Sequence, residues 1–171
     1  MRYPILFARP GLRARNGISL SPGGINQVSE LAQTLKEVLP DTSTPYVCYE
    51  DRGIKDARKE VASVLARAFE TEARGEKIFL LKLGADGGPT ISEENLEHLG
   101  QQIEETIGER PFVGIVGNGA LRDIITYLDE RLGFNKGKEI YGVAEASGYL
   151  FDFEEPEIYF FTPGKGSRWP I

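Results

Sequence analysis

The sequence predicts an α/β protein, a three-layer α/β/α sandwich built around a mostly parallel central sheet. Three observations predict it. Short apolar runs recur at 3–8, 46–49, 77–83 and 112–116. Between them lie segments whose apolar residues return at helical spacing. Helix-start and helix-stop residues punctuate the joins. Strands alternating with helices place successive strands side by side in parallel and cover both sheet faces.

The elements follow in order. The run from Tyr3 to Ala8 reads as a buried strand. Ser21 is placed as an N-cap with Pro22 at the first helical position, where its missing N–H costs nothing. Ile25, Val28, Ala32, Leu35 and Leu39 then form one apolar face, and Pro40 stops the helix. Tyr46 to Tyr49 is a second strand. A second helix is expected from about Asp56 to Ala73, turning Ala57, Val61, Val64, Leu65 and Ala68 inward. Lys77 to Leu83 is expected as a third strand. After the turn-rich "GADGGPTIS", Ser92 caps a helix that buries Leu96, Leu99, Ile103 and Ile107. A fourth strand spans Phe112 to Val116 and breaks at "GNGA" into a helix carrying Leu121, Ile124, Ile125 and Leu128. From Ile140 to Thr162 the pattern alternates like a strand pair, with Tyr149, Phe151 and Phe153 on one face and a bend at Glu154-Glu155-Pro156. The tail "PGKGSRWPI" reads as irregular.

The chain has 171 residues, enough for one domain over 1–171 with its own core. Apolar residues make up 40% and charged residues 27%, the balance of a globular protein in water. No apolar run approaches the ~20 residues of a membrane span. Met1-Arg2-Tyr3-Pro4 lacks the apolar stretch of a signal peptide, so the expected location is the cytoplasm, with no membrane partner. One cysteine, Cys48, excludes an internal disulfide, and with a single histidine, His98, no metal site is expected. Net charge is −6, against nucleic acid as a partner. The charge is uneven. No acid precedes Glu30, while Arg2, Arg9, Arg13 and Arg15 all do.

Ligands of parallel sheets bind at the carboxyl ends of the strands. Two loops stand there: Arg9-Pro10-Gly11 after the first strand and Gly117-Asn118-Gly119 after the fourth, with Arg52 after the second. Local alternatives for reactive groups are plain. Cys48 sits within a strand and reads as a small buried apolar residue. His98 lies about 200° around its helix from Leu96, facing solvent. Ser19 and Ser21 have no histidine or lysine nearby in sequence, and Ser21 is already a cap.

The order strand, "ARPG", loop, "LSPGGINQ" resembles the histidine phosphatase superfamily, whose fold is like that of phosphoglycerate mutase. That family has a strand, Arg-His-Gly, a loop, then Leu-Thr/Ser-Pro-x-Gly-x-x-Gln opening the first helix. Leu20, Ser21, Pro22, Gly24 and Gln27 match the second element position for position. "RGIKDA" keeps Arg52 and Ala57 in the spacing of the family's Arg-Ala-x-x-Thr-Ala, and "FVGIVGNGALRDII" stands where the family has a strand ending in a second His-Gly.

The departures define the functional expectation. The resemblance implies a nucleophilic histidine at position 10, and Pro10 stands there. A proline ring offers no nucleophilic atom. The second histidine is Asn118, an amide that donates hydrogen bonds but carries no charge. Asp86 is the candidate for the family's proton-donating acid. Arg9, Arg52, Asn118, Gly11 and Arg15 would form a residual anion site. Each charge-assisted hydrogen bond contributes about 1.5–3 kcal/mol. For Arg9 an ion pair with Asp51 or Glu145 is the structural alternative.

The leading expectation is a catalytically inactive protein of this fold. It would bind a phosphorylated or anionic small molecule, or a partner protein, at the former cleft, with no cofactor. One alternative is an enzyme of altered hydrolase-like chemistry using Arg9, Arg52, Asn118 and Asp86. The other is an interaction or oligomerisation module whose cleft is filled by side chains. Separately, the aromatic strand pair near Tyr149 to Phe161 offers a face for another subunit, as in a homo-oligomer.

Overall fold

The computed structural model describes residues 1–11, 16, 18–40, 43–54, 56–85, 87–137, 146–162 and 168–171, with 168 and 169 described as backbone. The chain order is β1 (Ile5–Ala8), α1 (Pro22–Val38), β2 (Tyr46–Glu50), α2 (Ala57–Ala68), β3 (Ala73–Glu76), β4 (Lys82–Leu83) and β5 (Pro89–Thr90). It continues with α3 (Glu93–Ile107), β6 (Phe112–Ile115), α4 (Asn118–Arg131), β7 (Gly148–Asp152), β8 (Glu157–Phe161) and β9 (Arg168–Pro170).

Among the described residues, seven strands form one sheet in the order β3-β2-β6-β1-β7-β8-β9, and β4 pairs with β5 separately. The strands β3, β2, β6 and β1 run parallel, and β7, β8 and β9 continue the sheet antiparallel. The three strands at the site, β2, β6 and β1, are therefore parallel neighbours whose carboxyl ends lie together.

Alternation along the strands sends side chains to two cores. On one face Leu6, Ala8, Val47, Val113 and Ile115 pack against α1 and α2. On the other Ile5, Phe7, Cys48 and Phe112 pack against α3 and α4. Phe7 lies beside Gly114, its register partner, where a Cβ would fall 2.3 Å from the ring. The phenylalanine thus occupies the space the glycine leaves.

The helix starts follow the capping chemistry of the sequence. Ser21 accepts from the Gly24 N–H at 3.0 Å, and Ser92 accepts from the Asn95 N–H at 3.2 Å. Each satisfies one backbone donor that the first turn leaves open.

Four expectations are corrected. Ile25 is half exposed, and Leu31 is buried on the α1 stripe instead. The second helix ends at Ala68, and Ala73 begins β3. Phe69 and Glu70 close the helix with bonds to Ala66 and Arg67, and Glu70 takes a positive φ of 55° that no helix continues through. The third strand is Ala73–Glu76, not 77–83, where a 3-10 turn (Lys77–Phe79) precedes the short β4. Among the described residues β3 is an edge strand paired with β2 alone, so its "ARGE" carries little of the apolar signal of a central strand. In the tail, Arg168–Pro170 adds a ninth strand against β8.

Candidate functional site

Ala8, Ile115 and Tyr49 stand in register across β1, β6 and β2. The residues that follow them, Arg9 to Gly11, Val116 to Asn118 and Glu50 to Arg52, therefore share one edge of the sheet. The Val116 N–H donates to the Ala8 carbonyl at 3.0 Å and carries the pairing one residue further.

The loop after β1 is fixed by its backbone and by α1. The Arg9 N–H donates to the Ser147 carbonyl at 3.0 Å, and the Pro10 carbonyl accepts from the Ala146 N–H at 3.1 Å. Pro10 cannot donate, so the segment before β7 holds it by its oxygen. Pro10 and Gly11 are buried, and the Arg9 Nε is shielded from solvent. A Cβ at Gly11 would stand 2.9 Å from the Gly24 carbonyl and 3.3 Å from Gln27 Oε1. Gly11, Gly24 and Gln27 are one contact, which is the physical reason for the two sequence signatures to occur together. Leu20 is buried, and its N–H donates to Glu60 Oε2 at 3.2 Å, tying the approach to α1 onto α2.

Asn118 is exposed at the first position of α4, after Gly117, which offers no capping side chain. The open amides and positive end of the helix thus face the same edge.

The end of β2 holds a cluster of charge. Glu50 is almost wholly buried. Its Oε2 accepts from Arg52 Nε at 3.0 Å and lies 2.7 Å from Arg58 Nε. Arg58, also buried, donates from Nη1 to Asp56 Oδ2 at 2.8 Å, while Asp56 Oδ1 caps α2 through the Arg58 N–H. Arg58 Nη2 reaches across to α4: a Cβ at Gly117 would lie 2.7 Å from it. Glu50 Oε1 is buried with no hydrogen-bond partner among the described residues. Two guanidinium groups therefore share one carboxylate at the floor of the site. An incoming anion must compete with Glu50 for Arg52.

Beside this edge opens a groove of about 740 Å³, lined by Ser19, Tyr49, Asp51, Ile54, Lys59 and Glu60 among others. Burial, and then the charges of Asp51 and Asp56, push the Tyr49 phenol above its ordinary pKa. Gly75 gives Tyr49 and Asp51 room, since a Cβ there would meet the Tyr49 hydroxyl and Asp51 Oδ2 at 2.9 Å each.

The structure thus brings Arg9, Gly11, Arg52 and Asn118 to one edge. Arg15, Asp86 and Glu145 lie outside the described residues. Cys48 is buried in β2, His98 is exposed on α3, and Ser19 bonds Asn16 at 3.1 Å. Among the described residues no cluster of His, Cys, Asp and Glu could hold a metal ion, and no helix is long and apolar enough to cross a membrane. Glu50 and Arg58 are the site residues the sequence reading passed over. The signal for Arg58 was its place on the buried stripe of α2, beside Ala57, Val61, Ala62 and Leu65.

A sheet of this strand order with a parallel half at the site, an Arg-Pro-Gly loop seated on a first helix that opens with Ser21-Pro22 and a helix springing from β6 define a phosphoglycerate mutase-like α/β fold. The fold is that of the histidine phosphatases. An alpha-ribazole phosphatase from Shigella flexneri shares 13% identity over 96% of this chain and 97% of its own, with a TM-score of 0.59. A phosphoglycerate mutase from Bacillus anthracis shares 13% over 96% and 93%, with a TM-score of 0.57. A histidine-to-alanine variant of phosphoserine phosphatase from Entamoeba histolytica, solved with phosphoserine, shares 14% over 96% and 98%, with a TM-score of 0.57. No protein-family model and no curated protein sequence matches the chain.

Proposed function

We propose that this protein is a non-catalytic member of the phosphoglycerate mutase-like fold that binds a phosphorylated or carboxylated small molecule at the edge formed by Arg9, Arg52 and Asn118. The observation that carries the reading is Pro10. It is buried at the end of β1, beside a retained arginine and on an intact Gly11–Gly24–Gln27 contact, with no atom able to accept a phosphoryl group. The structural relative with one histidine replaced by alanine was solved with phosphoserine, which supports ligand binding in this fold without a full set of histidines. The Glu50 carboxylate competes for Arg52, so affinity is modest, roughly millimolar to tens of micromolar. The chain works as a single domain in the cytoplasm and needs no cofactor.

A second reading, docking of a partner protein at the same mouth, is favoured by one observation. Ile54, on the wall of the adjoining groove, is 66% exposed, an unusual position for so large an apolar side chain.

The test pairs turnover with binding. Incubation with p-nitrophenyl phosphate and sugar phosphates gives no turnover above background and no phosphorylated protein. A thermal-shift screen of phosphates, sulfate and carboxylates gives a stabilisation that Arg9→Ala removes. Turnover abolished by Arg9→Ala overturns the non-catalytic reading. Stabilisation by no small anion, together with retention of a protein partner lost on Ile54→Glu, favours the second reading.

A further inference from the structure

We propose a second oxyanion site at the opposite end of the sheet, formed by Arg74 and Arg110 on the ring of Tyr46. Tyr46 opens β2, whereas the candidate site follows its last residue. The length of five strand residues, roughly 17 Å, separates the two ends.

Tyr46 is a rigid platform. Its ring stacks on Phe112 at 5.3 Å with 26° between the planes. Its hydroxyl donates to Glu76 Oε1 at 2.6 Å and accepts from Gln102 Nε2 at 3.0 Å. Its N–H donates to the Pro111 carbonyl at 2.8 Å. The guanidinium carbons of Arg74 and Arg110 lie 5.5 and 5.4 Å from the centre of this one ring. Arg74 comes from β3 in register with Cys48. Arg110 follows the last turn of α3, its N–H bonded to the Thr106 carbonyl at 2.9 Å, immediately before Pro111. Both cations are thus carried on fixed backbone.

Neither guanidinium group makes a hydrogen bond or ion pair with any described residue. Yet Glu70 and Glu72 line the same recess, of about 290 Å³, with Thr71 between them. In a chain of net charge −6, two guanidinium groups gathered on one ring and left unpaired are a preformed receptor for negative charge. An oxyanion between them removes their mutual repulsion and takes forked hydrogen bonds from each. The recess suits a small molecule. Glu70 and Glu72 set the selectivity: they disfavour a highly charged anion and favour a single phosphate or carboxylate group whose far end carries a hydrogen-bond donor.

The probe is inorganic phosphate, titrated by amide-resolved NMR into the full chain carrying Arg9→Ala, which silences the first site. The expected result is saturable shifts confined to residues around Tyr46, Arg74 and Arg110. Affinity falls about tenfold or more in Arg74→Gln and in Arg110→Gln. Arg74→Lys, which keeps the charge and the fold but loses the fork, gives an intermediate loss and serves if a glutamine variant is misfolded. Phosphate that leaves these residues unmoved, or binds all three variants as well as their parent, overturns the proposal.

Discussion

The Arg58 Nε lies 2.7 Å from Glu50 Oε2, and both side chains are almost completely removed from solvent. This pair spans from β2 to α2 and abuts Gly117 at the start of α4, so it joins the elements that shape the site. Removing Arg58 leaves buried Glu50 with Arg52 alone and buried Asp56 without its side-chain cation, and breaking such a buried pair costs up to about 3–5 kcal/mol. Arg58→Ala is therefore expected to lower stability by that amount in urea unfolding at neutral pH. Glu50→Met combined with Arg58→Leu recovers part of the loss, because neither of those two charges then remains buried, while Asp56 keeps its bond to the helix amide but still lacks its cation. Equal stability of Arg58→Ala and the parent rules out the pair as a structural clamp.

Under the proposed function, the same carboxylate would restrain ligand binding. Glu50 Oε2 takes a hydrogen bond from Arg52, whose side chain is otherwise 44% exposed at the mouth of the site. Glu50→Gln frees Arg52 for an incoming anion. Phosphate affinity is expected to rise several-fold, to about tenfold, while stability falls. The gain disappears in the background of Arg9→Ala, which distinguishes it from binding at Tyr46. A variant that loses both stability and affinity shows that Glu50 positions Arg52 for the ligand instead of competing with it.

The legible parts of this molecule were those written in local chemistry. Ser21-Pro22 and Ser92 carry capping geometry within four residues, and both helices begin where those residues place them. Phe112 to Ile115 is apolar throughout because both its faces are covered. The edge strand Ala73–Glu76 escaped because an edge needs no continuous apolar run, while Ile78 and Phe79, the apolar residues nearby, pack from a 3-10 turn. At the site, Arg9, Gly11 and Asn118 stood out as residues following strands. Arg58 did not, since burial of an arginine depends on Glu50 and Asp56, which reach it from the end of another strand and from the helix cap.

Gly11 provides a direct test of the contact between the first loop and α1. Its missing Cβ would stand 2.9 Å from the Gly24 carbonyl, a backbone atom that cannot rotate away. Gly11→Ala is expected to cost about 1–3 kcal/mol and to weaken phosphate binding through displacement of Arg9. Gly108→Ala is the control. There φ is −71° and the nearest atom is 3.7 Å away, so stability is unchanged or improves by up to about 1 kcal/mol. The two variants are compared by urea midpoint, and equal midpoints refute the close approach.

Glu70 holds a left-handed φ of 55° just after α2, where its N–H and that of Thr71 close the helix onto Arg67 and Ala66. Glycine adopts this conformation without the Cβ penalty of about 1 kcal/mol. Glu70→Gly is expected to raise the melting temperature by about 2–4 °C in calorimetry. A lowered melting temperature shows that the side chain contributes more than its backbone costs.

Several buried protons bear on alkaline stability. Burial and then the hydrogen bond to Glu76 hold the Tyr46 phenol well above its ordinary pKa. Burial raises Tyr149, and burial followed by the charges of Asp51 and Asp56 raises Tyr49. The Cys48 thiol is raised chiefly by burial. These groups stay protonated in the folded chain while the unfolded chain ionises at ordinary values, about 9 for the thiol and 10 for the phenols. Above those values the unfolded state binds fewer protons, so the sign is fixed: their contribution is fully present below about pH 9 and is lost as pH rises toward the folded values. Urea unfolding from about pH 8 to pH 11 should therefore show stability that declines only in the upper part of the range. Tyr46→Phe and Cys48→Ala each start from their own baseline at pH 8 and should decline less steeply, because each removes one proton from the difference. A slope unchanged in both variants means that neither group is shielded in the folded protein.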